Sequence, residues 1–214
     1  MYIDMDLVNF LEKVKGPEMP GGGSVVAYTG ALGAALTLMV ANLSFGKKSF
    51  EKLDDDIKEL VKADYVKMEN KIEELKLMVE ADAKSFDAVL EAMKLPKETP
   101  EEKKIRNEKM QEGYKTALEV PLKTCELIID CMKLQKSFAK YGNIWAITDQ
   151  GAGTALLYGS GEAVLLNVII NLESIEPGDY KDEIVKKLED YQETLKAIHE
   201  ELMDSCYNRL KEMK

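Results

Sequence analysis

Hydrophobic positions recur at helical spacing along almost the whole chain, and no stretch alternates as a strand would. A first helix is predicted from about Asp4 to Lys15, stopped by Gly16-Pro17. Charge then disappears. From Ser24 to Phe45 no residue is charged, with Ser24 expected as N-cap and Gly46 as the residue after the last turn. Ala27, Ala31 and Ala35 lie four apart, with Gly30 and Ala34 on the next row, a stripe that lets two backbones approach closely. Gln150 to Leu172 is built alike, with Glu162 its one charge and glycines at 151, 153, 159 and 161. These two segments are expected to form a buried central pair.

Between them the pattern is amphipathic. One long helix is predicted over Lys48 to Lys94, with Met68, Ile72, Leu75, Val79, Phe86, Val89 and Met93 on its inner face. Asp82 falls in that register, and a carboxylate facing inward is costly unless it is paired or meets a wet cavity. Leu95 to Pro100 reads as a loop, and Thr99 with Pro100 restarts a helix that runs to Tyr141, with a kink at Pro121 and Gly142 at its end. The last helix spans about Tyr180 to Met213, with Ile184, Leu188, Tyr191, Leu195, Ile198 and Leu202 on one face. The expected fold is all-α: a single domain over 1–214, an antiparallel bundle of long helices around a central pair of charge-poor, small-residue helices.

Composition narrows the class. Of the 214 residues 45% are hydrophobic and 32% charged, ordinary for a soluble globular chain. A net charge of -10 argues against nucleic-acid partners and anionic membrane surfaces. Cys125, Cys131 and Cys206 form an odd set without Cys-x-x-Cys spacing, which reads as reduced thiols in a cytoplasmic protein; no signal peptide is seen at the start of the sequence. Ser24 to Phe45 is long enough to span a membrane, but Tyr28, Thr29, Thr37, Asn42 and Ser44 dilute it, so a core helix is expected.

Two loops carry candidate chemistry. Pro20-Gly21-Gly22-Gly23-Ser24 opens the first charge-poor helix, where N–H groups lack helical partners; three glycines suggest close approach of a ligand or backbone. Neither a P-loop nor a dinucleotide fingerprint fits it. Gly142 to Gly151 opens the second helix, with Thr148 as N-cap and Asp149 in the first turn. Asp149 reads either as simple helix-end stabilisation or as a ligand or catalytic group. Lys47 and Lys48, beyond Gly46, are either surface charges or groups that bind a carboxylate or move a proton. His199, the only histidine, is expected in solvent, as is the face carrying Asp54, Asp55 and Asp56; one histidine and no cysteine pair argue against a zinc site. Acid–base work must then rest on carboxylates, lysines, tyrosines, amides and backbone N–H groups.

These residues resemble the cyclodeaminase/cyclohydrolase family, which comprises the C-terminal part of formiminotransferase-cyclodeaminase and stand-alone methenyltetrahydrofolate cyclohydrolases. The likeness rests on Pro20-Gly-Gly-Gly-Ser24, Gly30-Ala-Leu-Gly-Ala-Ala35, Met39-Val-Ala-Asn-Leu43 and Gly46-Lys-Lys48, then Asp82-Ala-Lys-Ser-Phe86, Lys94-Leu-Pro-Lys97, Val120-Pro121, Gly142-Asn143, Thr148-Asp149, Leu166-Asn-Val168 and Ile170-Asn-Leu172. It implies an all-α homodimer or higher homo-oligomer, no metal or redox cofactor, and a folate site between helices near the subunit contact. The reactions it implies are hydrolysis of 5,10-methenyltetrahydrofolate to 10-formyltetrahydrofolate or, second, ammonia-releasing ring closure of 5-formiminotetrahydrofolate. Under it, Asp82 and Asp149 supply a base and a counter-ion, or grip the pterin edge, and Lys47 is an acid–base group. Gly21, Gly22, Gly23 and Ser24 bind an oxyanion or carboxylate; Asn42, Asn143 and Asn171 offer amides, Lys48 a charge, and Trp145 a surface to stack on a ring. Trp145 and Ile169 depart from the family pattern, where a small or amide residue and a basic residue are usual. A bulky Trp145 motivates a third reading from another class, a folate-binding helical assembly protein without turnover.

Overall fold

In the computed structural model, which describes residues 1–213, eight α-helices follow one another without a strand among the described residues. They are α1 (Leu7–Val14), α2 (Gly22–Asn42), α3 (Lys48–Glu51), α4 (Asp55–Lys84), α5 (Asp87–Met93), α6 (Pro100–Tyr141), α7 (Ile147–Glu173) and α8 (Asp179–Glu212). Short 3-10 turns occupy Tyr2–Asp4 and Ile144–Ala146. The all-α expectation holds.

The two charge-poor segments are the centre of the bundle. A Cβ built on Gly33 would lie 2.8 Å from the Gly153 carbonyl oxygen, and one on Gly153 would lie 2.7 Å from that of Gly33. Only two glycines let the backbones meet there. Thr37 and Leu36 also face Gly153, Gly33 faces Leu157, and Val25 shares a groove with Gly159 and Ala163. Rising numbers on α2 therefore meet falling numbers on α7: the pair is antiparallel. The alanine stripe is not the contact with α7. Gly30 faces Ile128 of α6 and Leu75 of α4, Ala27 and Ala31 are buried, and Ala35 is exposed.

α4, α6 and α8 supply the rest of the core, with Met68, Leu75, Leu127, Ile128, Met132, Phe138, Leu195 and Leu202 almost fully buried. A second cluster joins Leu118, Leu122, Val168, Leu172, Ile175 and Ile184. A polar chain crosses the apolar centre: Gln135 Nε2 donates to Thr37 Oγ1 at 2.6 Å, and Thr154 Oγ1 to Gln135 Oε1 at 3.1 Å. All three side chains are fully buried, so the bonds offset a large desolvation cost and fix which turns of α2, α6 and α7 meet.

Several predicted boundaries move. α1 starts later, capped by Asp6, which accepts the Asn9 N–H at 2.9 Å. α2 starts at Gly22 with Gly21 as N-cap, so Ser24 is its third residue, and it stops at Asn42. A further turn separates that end from Gly46, which takes φ +72°. The Lys48–Lys94 helix is three helices. Asp54 is the N-cap of α4 and places Asp55 and Asp56 in its first turn; all three face solvent as expected, and the two carboxylates also meet the positive end of the helix. The break at Ser85–Phe86 resets the register, so Val89 and Ala92 turn inward and Met93 is exposed. α6 runs from a Thr99–Glu102 capping box to Tyr141, unbroken at Pro121. His199 is half-buried and stacks on Tyr158 at 4.1 Å.

α2 and α7 have the length and mean hydropathy of membrane spans, 1.7 and 1.5. Their packing against charged helices marks them as bundle core, but their shared outer face stays uncovered: Leu32 and Met39 on α2 with Leu43 just beyond it, and Leu156, Leu166 and Ile170 on α7.

Candidate functional site

The N-terminus of α2 is closed by a side chain from another helix. Gly21, the N-cap, has no side chain to accept a hydrogen bond, and Asp82, two residues before the end of α4, takes that role. Asp82 Oδ2 accepts from Ser24 N at 2.8 Å and from Ser24 Oγ at 3.0 Å, while Ser24 Oγ also lies 2.8 Å from the Val79 carbonyl. A Cβ on Gly23 would sit 2.0 Å from Asp82 Oδ1, so glycine is what admits the carboxylate. Gly22, by contrast, has open space where a Cβ would stand. Ser24 is thus not the expected cap but the buried residue that orients Asp82. The Gly22 and Gly23 N–H groups, first in the helix, have no carbonyl behind them.

The other residues lie elsewhere. Asn42 ends α2, exposed, its amide 3.4 Å from the Tyr65 hydroxyl. Lys47 and Lys48 follow on the surface, Lys47 as N-cap of α3. Asn143 belongs to this end: its N–H donates to Ser44 Oγ at 2.7 Å, its Nδ2 to the Leu43 carbonyl at 2.8 Å, and its Oδ1 accepts from Trp145 N at 3.1 Å. Its side chain thereby shapes the loop through one Nδ2–H and Oδ1. Ala146, not Thr148, is the N-cap of α7, because the 3-10 turn continues directly into the helix; Asp149 does stand in the first turn, half-buried. Trp145 is 79% exposed and stacks on no ring among the described residues.

The candidate residues therefore fall into two groups within one chain. With α2 and α7 antiparallel, Gly23 and Asn42 are separated by roughly 29 Å of helix, and Asp82 and Asp149 stand at opposite ends. Asn171 lies roughly 33 Å along α7 from Asp149, so it is not grouped with it. Sequence reading missed Ser44, buried and bonded to both the Val40 carbonyl and Asn143, and Arg209, whose guanidinium reaches the end of α6. Ser44 was visible as one of the polar residues in an apolar run; Arg209 had no signal, because its partners are some 67–70 positions away.

Fold and site together define an all-helical bundle whose polar chemistry sits at the ends of a charge-poor central pair, in carboxylates, amides and backbone N–H groups. The chain belongs to the formiminotransferase-cyclodeaminase family, whose sequence profile matches residues 6–210. It is 35% identical over 191 residues to a methenyltetrahydrofolate cyclohydrolase of Methylorubrum extorquens, covering 89% of this chain and 90% of that one. It is 39% identical over 164 residues to the formimidoyltransferase-cyclodeaminase of Gallus gallus, covering 77% of this chain but 30% of that longer protein. A crystal structure of formiminotetrahydrofolate cyclodeaminase from Thermotoga maritima shares the fold, with TM-score 0.83 at 22% identity over 97% of this chain and 98% of that one.

Proposed function

We propose that the chain hydrolyses 5,10-methenyltetrahydrofolate to 10-formyltetrahydrofolate. The observation that carries this reading is the match to the Methylorubrum cyclohydrolase over nearly the full length of both chains. The chemistry suits the residues. The methenyl carbon sits in an amidinium cation, electrophilic enough for water once a base, a counter-ion and donors to the developing oxygen are placed. Asp82 is the natural counter-ion: Oδ2 is held by Ser24, and Oδ1 lies against Gly23. Asp149 is then the base, with Lys47 and Lys48 near the same end of α2 for a proton or a substrate carboxylate. The substrate acts without a metal or second cofactor in this scheme.

A dimer reconciles the two ends. The uncovered α2/α7 face carries no charged residue on α2, and a two-fold axis across an antiparallel pair sets one protomer's Asp82 end against its partner's Asp149 end. We infer that the working site is shared in this way. Trp145, exposed in a single chain, would gain a ring to stack on there.

The test is the near-ultraviolet absorbance of 5,10-methenyltetrahydrofolate mixed with purified protein. Faster decay than in buffer is expected; a rate equal to buffer contradicts the proposal. The 39% identity to the Gallus protein favours one second reading, formiminotetrahydrofolate cyclodeaminase. Ammonia release from 5-formiminotetrahydrofolate, without methenyl hydrolysis, would establish it instead.

A further inference from the structure

The loop between α6 and α7 is held from α8 by a side chain that the scheme above does not use. Arg209 Nη1 donates to the Ala139 carbonyl at 2.8 Å, and Nη2 to the Gly142 carbonyl at 2.6 Å. Ala139 is in the last turn of α6, where carbonyls have no helical N–H to bond; Gly142 is the C-cap from which the loop departs. A planar guanidinium spans two such carbonyls, whereas an ammonium is a single point of charge. Burial draws the Arg209 guanidinium below its ordinary value, with Glu212 and Cys206 opposing. A cation half withdrawn from water needs both bonds.

The loop is pinned again on its other side, where Asn143 bonds Ser44 and Leu43 beyond α2. Room is scarce at the junction: a Cβ on Gly142 would lie 2.5 Å from the Phe138 carbonyl oxygen and 2.8 Å from Val40. The exit from α6 at Gly142 and the crossing over α2 at Asn143 are thus set independently, and the short 3-10 turn that follows them leads through Trp145 to Asp149. We propose that Arg209 is a positioning residue for this loop, fixing where Asn143, Trp145 and Asp149 stand relative to the end of α2. Its consequence for turnover rests on the reading of Asp149 given above.

Arg209→Met and Arg209→Lys test it in the full chain. Backbone hydrogen exchange over residues 139–149 is expected to speed up roughly tenfold in Arg209→Met, with α4 unchanged and helical content retained. Arg209→Lys, keeping one of the two bonds, should fall between, and it carries the test should the methionine variant lose helicity. On 5,10-methenyltetrahydrofolate, Arg209→Met is expected to lose about fivefold in kcat, with partial rescue by lysine. Wild-type exchange across the loop in both variants overturns the proposal. So does a loosened loop with unchanged kcat and KM when Asp149→Asn, measured beside it, has lost turnover. If Asp149→Asn keeps full turnover, the reading of Asp149 fails instead, and the exchange data still decide whether Arg209 holds the loop.

Discussion

At Gly23 one absent methyl group decides what the start of α2 can hold. Gly23→Ala would drive the Asp82 carboxylate off Ser24, since the new Cβ would overlap Oδ1. Loss of that cap costs about 1–2 kcal/mol, and turnover should fall with it. Gly22→Ala meets open space and should leave stability within about 0.5 kcal/mol; equal denaturation midpoints for the two variants would contradict the capping role. The thiols give a pH signature. Burial pushes Cys125 and Cys131 up from 9.0 to about 12. Their folded value lies above the unfolded one, so the stability they contribute is complete below pH 9.0 and is lost as pH rises from there toward about 12. Chemical denaturation at several pH values should show that decline, with Cys125→Ala/Cys131→Ala flattening it. At this scale the sequence was informative where a residue broke a pattern. Asp82 interrupts an apolar register, and three glycines exceed what a turn needs. Ser24 was misread as a cap because its real partner is 58 positions away.

Among elements, the α2/α7 crossing brings two backbones together at Gly33 and Gly153. Gly33→Ala would gain about 1 kcal/mol of helix propensity, yet its Cβ would meet the Gly153 carbonyl oxygen at 2.8 Å, with backbone that cannot rotate away. Overpacking of about 1–3 kcal/mol or more should win, so Gly33→Ala is expected to lower the melting temperature, while Gly159→Ala, with open space, should not. An unchanged melting temperature for Gly33→Ala would contradict the close approach. Both charge-poor helices were legible from their lack of charge, and the bundle followed from them. Their relative direction was not. Hydrophobic period gives the face a helix buries, not the sense in which it runs against a neighbour. Once the pair is antiparallel, two loops that both precede charge-poor helices must lie at opposite ends. The breaks at Asp54 and Phe86 were hidden too, because apolar spacing continues across them while the backbone does not.

For the whole molecule, the dimer proposed above answers both the separation of the candidate residues and the uncovered α2/α7 face. Leu32→Glu or Leu156→Glu places charge on that face and should yield a monomer by analytical ultracentrifugation, with folded helices and lost turnover. A dimer that persists with full activity would move the interface elsewhere. The most direct test uses two variants, Asp82→Asn and Asp149→Asn, each expected to lose most methenyltetrahydrofolate hydrolysis alone. In a two-fold dimer with shared sites, each mixed pair keeps one site with both aspartates. Unfolded together and refolded as an equal mixture, the variants should recover about a quarter of wild-type turnover. Recovery near that level supports a hydrolase with its site shared between protomers; a mixture no more active than its parts, after mixed dimers are shown to form, contradicts it.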